Sequence, residues 1–320
     1  MKRRTALALS VVGAAALAGT GGRWLRMAGL HDDPLRSWPA LRHGRYVSFP
    51  PEPTPFEADI EGYVYAGVSG NYIDDRILAL GLYERPELEL LRDLLVAHRG
   101  SEGVVLDVGA NVGQHTLYLA RHAAQVHAVE PFPPVLERLD ALVERNGLRH
   151  VTVHRVGFSN RAGSLPFFAP PAQNLGTGSF DPAFRRANTP DRELPLVVGD
   201  DWLAEHGVGR VDLVKVDVEG TERLVLEGLR RTLERDRPTV MFELNPAPGS
   251  FRDAAQVERT FPEAYRFFEL ADSQLYWVHL PRGTYFYGPR LEGGGRLVPF
   301  TGRCAKQRNV VAVPEERAPQ

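Results

Sequence analysis

Hydrophobic positions between residues 86 and 243 follow two alternating spacings. Short apolar runs, rich in Val and Leu, are separated by stretches in which apolar residues recur every three or four positions. The first spacing is typical of buried strands and the second of amphipathic helices. Together they predict strands over 104–106, 126–129, 151–156, 211–216 and 239–242, and helices over 86–98, 112–121, 134–145 and 222–233.

Strands that alternate with helices predict an α/β domain. Such an order folds into a doubly wound, mainly parallel sheet, because each helix crosses over and covers a face of the sheet it connects. The segment 266–313 has a more antiparallel pattern, with Phe267, Phe268 and Tyr276 ahead of the apolar run 310–313. We expect these residues to add antiparallel closing strands.

Two insertions interrupt this order. Residues 170–195 combine Asn174 and Gly176 with several prolines, so we expect a surface loop there. Residues 281–308 include three consecutive glycines at 293–295. Because loops at strand ends carry many binding residues, both insertions are candidates for substrate selectivity.

The beginning of the chain differs from this core. Lys2, Arg3 and Arg4 precede the weakly apolar run 5–20. A signal peptide, a short membrane anchor and a mis-assigned start ahead of Met27 each account for this pattern. The run is shorter than the ~20 residues that usually span a bilayer. We expect a cytoplasmic domain, with membrane contact through residues 5–20 or export of the chain as the alternatives.

Prolines separate this segment from the domain. Pro50, Pro51, Pro53 and Pro55 indicate an extended stretch, and helical spacing begins only after Ile73. We therefore divide the chain into an N-terminal segment (1–26), an extended lead-in (27–72), one domain (73–315) and a tail (316–320).

Composition excludes several classes of function. Hydrophobic residues make up 43% of the chain and charged residues 24%, which is typical of a soluble domain with a sizeable core. A formal net charge of -2 offers no basic field for nucleic acid, so we expect no nucleic-acid partner. The single cysteine, Cys304, can form neither an internal disulfide nor a Cys-based zinc site.

A glycine-rich turn follows the first strand of the alternation. Residues 104–113 read VVLDVGANVG, an apolar strand that runs into a turn and then a helix. Gly109 allows a tight turn, Gly113 allows close helix packing, and Asp107 is suited to accept hydrogen bonds from a cationic amine. The spacing differs from the GxGxxG of nicotinamide-binding enzymes, and the sequence has no GxxxxGK[ST] phosphate loop. A purely structural turn is the alternative.

Acidic residues end three further strands. Glu130 follows the second strand, where an acid can accept both ribose hydroxyls of a nucleoside. Asp217 and Glu219 follow a strand that contains Lys215, and Glu243 ends the next one. Since ligands bind outside the carboxyl ends of parallel strands, we expect these acids to face a pocket. We expect Lys215 to snorkel or to pair with a buried acid, with substrate contact as the alternative.

Several motifs together resemble one family. The segments DVGANVG, VEP, VGFSN, VKVDVEG and MFEL occur in this order, after Tyr83-Glu84-Arg85-Pro86. Over about residues 70–315 this combination resembles the FkbM-type family of S-adenosylmethionine (SAM)-dependent methyltransferases. The resemblance implies a class I methyltransferase (Rossmann-like) fold with a mainly parallel seven-stranded sheet and an antiparallel closing strand. It also implies SAM as methyl donor and a small-molecule hydroxyl acceptor, on a sugar or a secondary metabolite.

The resemblance also assigns a cofactor site by position. The glycine turn would line the methionine part of SAM, Glu130 would hold the ribose, and Asn160 would lie near the adenine. The implied cofactor-binding residues are Glu84, Asp107, Gly109, Asn111, Gly113, Glu130, Asn160 and Asp217.

A hydroxyl acceptor must lose its proton, which calls for a base. The candidate catalytic residues are Asp217, Glu219, Glu243 and His115, with Asp217 or Glu219 preferred. Each acid could instead cap a helix, and His115 could simply pack in the core. The acids could also hold a divalent metal, which we do not favour at this stage because their proximity rests on an inferred strand order.

Two other classes of function stay open, as does the oligomeric state. A SAM-fold protein without catalysis, acting as a binding or scaffold module at a membrane, would lack cofactor binding. A nicotinamide-dependent oxidoreductase would bind a reduced nicotinamide, although the glycine spacing opposes it.

Overall fold

The computed structural model describes residues 45–48, 52–172, 174–245, 250–271, 277–280, 284–287, 296–302 and 308–318. Its strands, in chain order, are β1 (Arg45–Ser48), β2 (Pro55–Ile60), β3 (Tyr63–Val68), β4 (Val104–Val108), β5 (Gln125–Val129), β6 (Val151–His154), β7 (Gly157–Ser159), β8 (Gly163–Ala169), β9 (Thr189–Val198), β10 (Leu213–Val216), β11 (Thr239–Leu244), β12 (Tyr265–Ala271), β13 (Trp277–Leu280), β14 (Thr284–Tyr287), β15 (Arg296–Pro299) and β16 (Arg308–Pro314). Its helices are α1 (Tyr72–Leu80), α2 (Arg85–Arg99), α3 (Gln114–Ala120), α4 (Pro133–Arg145), α5 (Gly199–Glu205), α6 (Glu222–Gly228), α7 (Arg230–Asp236) and α8 (Ala254–Thr260).

These residues divide into two compact units. The first holds the described residues up to Glu84 together with β13 and β14, and the second holds 85–271 and the described residues from 296 onward. In the first unit β2 pairs with β3, and β1, β14 and β13 form an antiparallel sheet. Of the elements between residues 73 and 315, β13, β14 and the part of α1 after Tyr72 belong to the first unit, and the domain bounds expected from the sequence stay a prediction.

A β-hairpin occupies part of the segment expected to be an extended lead-in. Along β2 and β3 buried and more exposed residues alternate, and the connecting turn places Glu61 at φ 51° and Gly62 at φ 91°. Two successive positive φ angles are those of the tight turns that favour two-residue hairpins. The prolines at 50–55 indicated an extended chain, so the alternation of apolar and polar residues that begins at Phe56 was not recognised as a strand.

An eight-stranded sheet organises the second unit, in the order β15-β12-β16-β11-β10-β4-β5-β6. The five strands β6, β5, β4, β10 and β11 are parallel, whereas β16, β12 and β15 run antiparallel to their neighbours. This confirms the doubly wound α/β fold with antiparallel closing strands. The sheet has eight strands, one more than the seven expected, and the additional strand is β15. The sequence did not indicate β15, because this strand has only four residues and directly follows the glycine run 293–295, which is typical of a loop.

Two further elements differ from the predictions. The loop expected over 170–195 includes the beginning of β9, which pairs with β7 and β8. Pro190, Pro195 and the exposed charged residues between them gave this strand the composition of a loop. The helix expected over 222–233 is split at Leu229 into α6 and α7.

The core of the second unit lies on both sides of the parallel strands. Val214, Val216 and Phe242 are fully buried in the sheet, and Val225 and Leu233 pack against it from α6 and α7. Fully buried strand residues produce the continuous apolar runs from which the strands were predicted. Among the described residues no helix is long and apolar enough to cross a membrane, and the apolar run 5–20 lies outside them.

Candidate active site

Three strand ends meet where the strand order of the sheet reverses. Val108 of β4 is in register with Val216 of β10, which is in register with Phe242 of β11. The next residues along these strands are Gly109, Asp217 and Glu243. From β4 the chain continues to β5 and β6 on one side, while β10 and β11 lie on the other. Ligands of open α/β sheets bind at this kind of switch point, so the predicted residues stand where a site is expected.

The two predicted glycines of the turn are required by close contacts. Gly109 has φ 80°, and a Cβ atom on it would lie 1.8 Å from the carbonyl oxygen of Asp217. Gly113 has φ 90°, and its Cβ would lie 2.4 Å from Leu139 Cδ1. A side chain at Gly109 would therefore push the ends of β4 and β10 apart. At Gly113 a side chain would strain the left-handed backbone and displace the Leu139 methyl group.

Asp107 is fully buried and forms a small polar cluster with two neighbours. Its Oδ2 accepts a 2.6 Å hydrogen bond from Thr116 Oγ1, and its Oδ1 lies 3.5 Å from Lys215 Nζ. Lys215 Nζ also donates to the Gly109 carbonyl at 3.0 Å and lies 3.4 Å from Asp217 Oδ2. Lys215 thus pairs with a buried acid, as predicted. Because Asp107 has no exposed surface, its burial favours a structural role, in which it stabilises the turn, rather than direct contact with a cofactor.

Glu130 is tied to the glycine turn. Its Oε2 accepts the Asn111 N–H at 3.0 Å and its Oε1 accepts the Phe132 N–H at 2.9 Å. Burial raises the pKa of Glu130 to about 7, although both backbone donors act in the opposite direction. Each carboxylate oxygen has two lone pairs, so Glu130 can still accept two hydroxyl groups. Gly109 and Asn111 are partly exposed beside it, and this arrangement fits the ribose and the methionine chain of SAM.

The acids after β10 and β11 come together, with one addition. Carboxylate oxygens of Asp217, Glu222 and Glu243 lie within 4.8 Å of one another. Glu222 is fully buried at the start of α6, and its Oε1 accepts the N–H groups of Val218 and Gly220 at 3.2 and 3.0 Å. Burial raises the pKa of Glu222 to about 8, with the charges of Glu243 and Asp217 acting in the same direction.

Glu219 lies in the turn between β10 and α6. Its φ of 58° is left-handed, and its carbonyl oxygen accepts a 2.7 Å hydrogen bond from Ser179 Oγ. Burial and then the charges of Asp217 and Glu243 raise the pKa of Glu219 well above its usual value. The structure therefore brings Glu219 close to the other two predicted acids.

His115 is buried in α3 near the same residues. Burial, followed by the charge of Lys215, lowers the pKa of His115 to about 3, while Asp217 raises it. Its ring is neutral at pH 7 and a weak base. This placement favours the packing interpretation over the catalytic one.

The two remaining predicted cofactor residues are Asn160 and Glu84. Asn160 is exposed, and its Nδ2 donates a 2.7 Å hydrogen bond to Glu227 Oε2 on α6. Glu84 belongs to the first unit, where it lies beside Tyr83 with a left-handed φ of 52°. The roles assigned to both residues stay predictions.

The family model for the methyltransferase FkbM domain matches residues 107–275. The chain belongs to the FkbM methyltransferase family. Hexuronic acid methyltransferase AglP of Haloferax volcanii is 30% identical over 203 residues, which are 62% of this chain and 76% of that protein. The 31-O-demethyl-FK506 methyltransferase FkbM of Streptomyces tacrolimicus is 32% identical over 157 residues, which are 39% of this chain and 59% of that protein.

A solved structure is also similar. The crystal structure of methyltransferase FkbM from Methylobacillus flagellatus KT shares 17% identity with a TM-score of 0.40, and the match covers 59% of this chain and 44% of that one. The chain thus spans less than two thirds of the Streptomyces relative and less than half of the solved chain.

The FkbM match includes every predicted site residue except Glu84, and it includes two residues that the sequence analysis missed. Thr116 is the third residue of α3, and Glu222 is the first residue of α6. An acid in the first turn of a helix is usually explained by the helix dipole. The available signal was the turn before α6, in which the N–H groups of Val218 and Gly220 need an acceptor.

Proposed function

We propose that the chain transfers a methyl group from SAM to a hydroxyl oxygen on a sugar or a secondary metabolite. Membership of the FkbM methyltransferase family supports methyl transfer. The names of two relatives, one acting on a hexuronic acid and one on 31-O-demethyl-FK506, favour an oxygen acceptor on a small molecule. The observation that carries the proposal is the hydrogen bond from the glycine turn to Glu130, together with the contact of Gly109 in this turn with Asp217 of the acidic cluster.

The turn and Glu130 would hold the donor. Gly109 and Asn111 leave room along the turn for the methionine chain, and Glu130 accepts the ribose hydroxyls with its remaining lone pairs. SAM would supply an activated methyl group on a sulfonium. Asp107 and Lys215 act indirectly, because their buried contacts fix the turn and the end of β10.

Asp217 would take the proton of the acceptor. Its side chain is 35% exposed, whereas Glu222 is fully buried and His115 is neutral. Lys215, at 3.4 Å from Oδ2, holds the Asp217 carboxylate at the strand end. Methyl transfer gains most from fixing donor and acceptor in near-attack geometry, so this fixed position matters as much as basicity.

Calorimetric titration of the chain with SAM and with its demethylated product tests the donor site. We expect saturable binding of both. Glu130→Gln should weaken binding at least about tenfold, because the amide has one acceptor oxygen where the carboxyl group of Glu130 has two. Glu144→Gln, at an exposed position on α4, is the matched control and should leave binding unchanged.

Acceptors are then screened with SAM carrying a labelled methyl group, using hexuronic acids, neutral sugars and hydroxylated secondary metabolites. Label found on oxygen by mass spectrometry supports the proposal. Absence of SAM binding by a folded chain would contradict it and favour a scaffold role. Equal binding by Glu130→Gln and wild type would contradict the assigned ribose site.

A further inference from the structure

Three carboxylates meet beside the proposed methyl-transfer site. Asp217 and Glu243 are brought together by the register of β10 and β11, and Glu222 by the start of α6 directly after the turn. Their oxygens lie within 4.8 Å of one another. Like charges at this distance repel strongly away from water. Lys215 lies near Asp217, where it is shared with Asp107, and Asn245 Nδ2 donates a hydrogen bond to Glu243.

Glu222 provides an independent indication of a ligand. Its side chain is 0% exposed and only its Oε1 accepts backbone N–H groups. Its Oε2 is buried and has no hydrogen-bond partner in the part of the chain that the structure describes. A buried acceptor without a partner costs roughly 1–3 kcal/mol, and more when it is charged. Capping the turn needs one oxygen of Glu222, so the second is available for a ligand.

We propose that Asp217, Glu222 and Glu243 bind a divalent cation of the oxygen-preferring class, Ca²⁺, Mg²⁺ or Mn²⁺. Two oxygen ligands of one cation can be separated by at most twice the cation–oxygen bond length. This limit is about 5 Å for Ca²⁺ and about 4.2 Å for Mg²⁺. The 4.8 Å limit in this cluster fits Ca²⁺ directly. It fits the smaller cation after carboxylate shifts of less than about 1 Å.

The cation has a chemical use at this position. A hydroxyl that reached the cation as a further ligand would lose its proton more easily, and the Asp217 carboxylate oxygen not bound to the cation would accept that proton. This part of the inference rests on the proposed function. Cation binding itself rests only on the geometry of the cluster, so the two can be tested separately.

The test is titration of the full chain, after treatment with a chelator, with Mn²⁺ alone, following free Mn²⁺ by electron paramagnetic resonance. We expect one saturable site. Glu222→Gln and Glu243→Gln should each weaken it at least about tenfold, the scale seen when the support of a metal site is altered. Glu234→Gln, on α7 and half-exposed, removes the same charge outside the cluster and should leave binding unchanged.

Circular dichroism and thermal unfolding of each variant show that it is folded. The glutamine at 222 keeps an oxygen that can accept the two backbone N–H groups, so we expect this variant to fold. Absence of saturable binding by folded wild type up to roughly 10⁻³ M, the weak end of natural Ca²⁺ sites, would overturn the proposal. So would equal Mn²⁺ affinity in Glu222→Gln, Glu243→Gln and Glu234→Gln. Mn²⁺ binding without SAM binding would leave the cation site intact and contradict the proposed function instead.

Discussion

At the scale of single residues, Lys215 connects the two halves of the candidate site. Its ammonium group lies between Asp107 on β4 and Asp217 after β10, and it also donates to the Gly109 carbonyl. Both Lys215 and Asp107 are almost wholly buried. A buried ion pair contributes little net stability compared with apolar residues, but removal of one partner leaves an uncompensated charge.

Lys215→Met should therefore lower the free energy of unfolding by roughly 3–5 kcal/mol. Adding Asp107→Asn should restore part of this loss, because the second change removes the charge left behind. Urea denaturation of the wild type, both single variants and the double variant measures the coupling. Strictly additive effects of the two changes would show that the pair does not interact.

The residues that sequence patterns could locate are those next to an apolar run. Asp107, Glu130, Asp217 and Glu243 each lie at or directly after the carboxyl end of a buried parallel strand. Glu222 could not be found in this way, because its role depends on the fold of the turn before it. The shape of that turn is set by the left-handed backbone of Glu219 and Gly220, which composition does not reveal.

At the scale of elements, the approach of β4 to β10 requires Gly109. Its φ of 80° is unfavourable for other residues, and the neighbouring Asp217 carbonyl leaves no space for a Cβ. The obstacle is backbone, which cannot rotate away as a side chain can. The two strand ends therefore have to separate if any side chain is introduced.

Gly109→Ala should reduce the free energy of unfolding by more than about 2 kcal/mol, among the larger effects of single substitutions. Gly147→Ala is the matched control, because Gly147 has φ 63° but nothing within 4 Å of the Cβ position. It should cost about 1 kcal/mol from the left-handed backbone alone. Denaturant unfolding of both variants measures the difference, and equal losses would mean that contact with Asp217 is unimportant.

Elements with strong periodicity were predictable, and those with mixed signals were not. The spacing of Leu88, Leu91 and Leu95 predicted α2 within one residue at each end. The β2–β3 hairpin was missed although its alternation is regular, because nearby prolines indicated an extended chain. For β9, pairing on both sides with β7 and β8 outweighs the unfavourable prolines within it.

At the scale of the whole molecule, the sequence patterns predicted the parallel sheet but not the division into two units. The division depends on pairing between β1 and β14, which are separated by more than 200 residues. No local spacing carries information about such a contact. The parallel sheet is different, since strand and helix alternate over a short range and the crossover rule then restricts the topology.

The response of the whole fold to acid depends on a buried histidine cluster in the second unit. His127 Nδ1 and His154 Nε2 are 3.1 Å apart, and Trp202 Nε1 donates to His154 Nδ1 at 3.0 Å. The His206 ring packs against those of His154 and Trp202. Burial, followed by the charges of His127 and His206, lowers the pKa of His154 to about 4, and burial also lowers that of His127.

Below pH about 6.5 the unfolded chain therefore binds protons at His127 and His154, whereas these side chains stay neutral in the folded chain until the pH is lower. This contribution to stability is fully present above pH 6.5 and is lost as the pH falls toward 4. Glu130 acts with the opposite sign, because its raised pKa lets the folded state bind a proton between pH 7 and 4.5. Other buried groups act in both directions as well, since burial lowers the pKa of His115 to about 3 and raises that of Glu222 to about 8. A single unfolding curve of the wild type cannot separate these opposed effects.

A comparison with His154→Gln isolates the histidine contribution, since Glu130 is present in both proteins. Glutamine can accept the Trp202 N–H but does not titrate. We expect the free energy of unfolding of the wild type to fall relative to the variant by on the order of 2 kcal/mol between pH 7 and pH 4. Urea unfolding at a series of pH values gives both curves. Parallel curves would show that His154 is protonated equally in the folded and unfolded states, and that its burial in the cluster does not exclude the charged form.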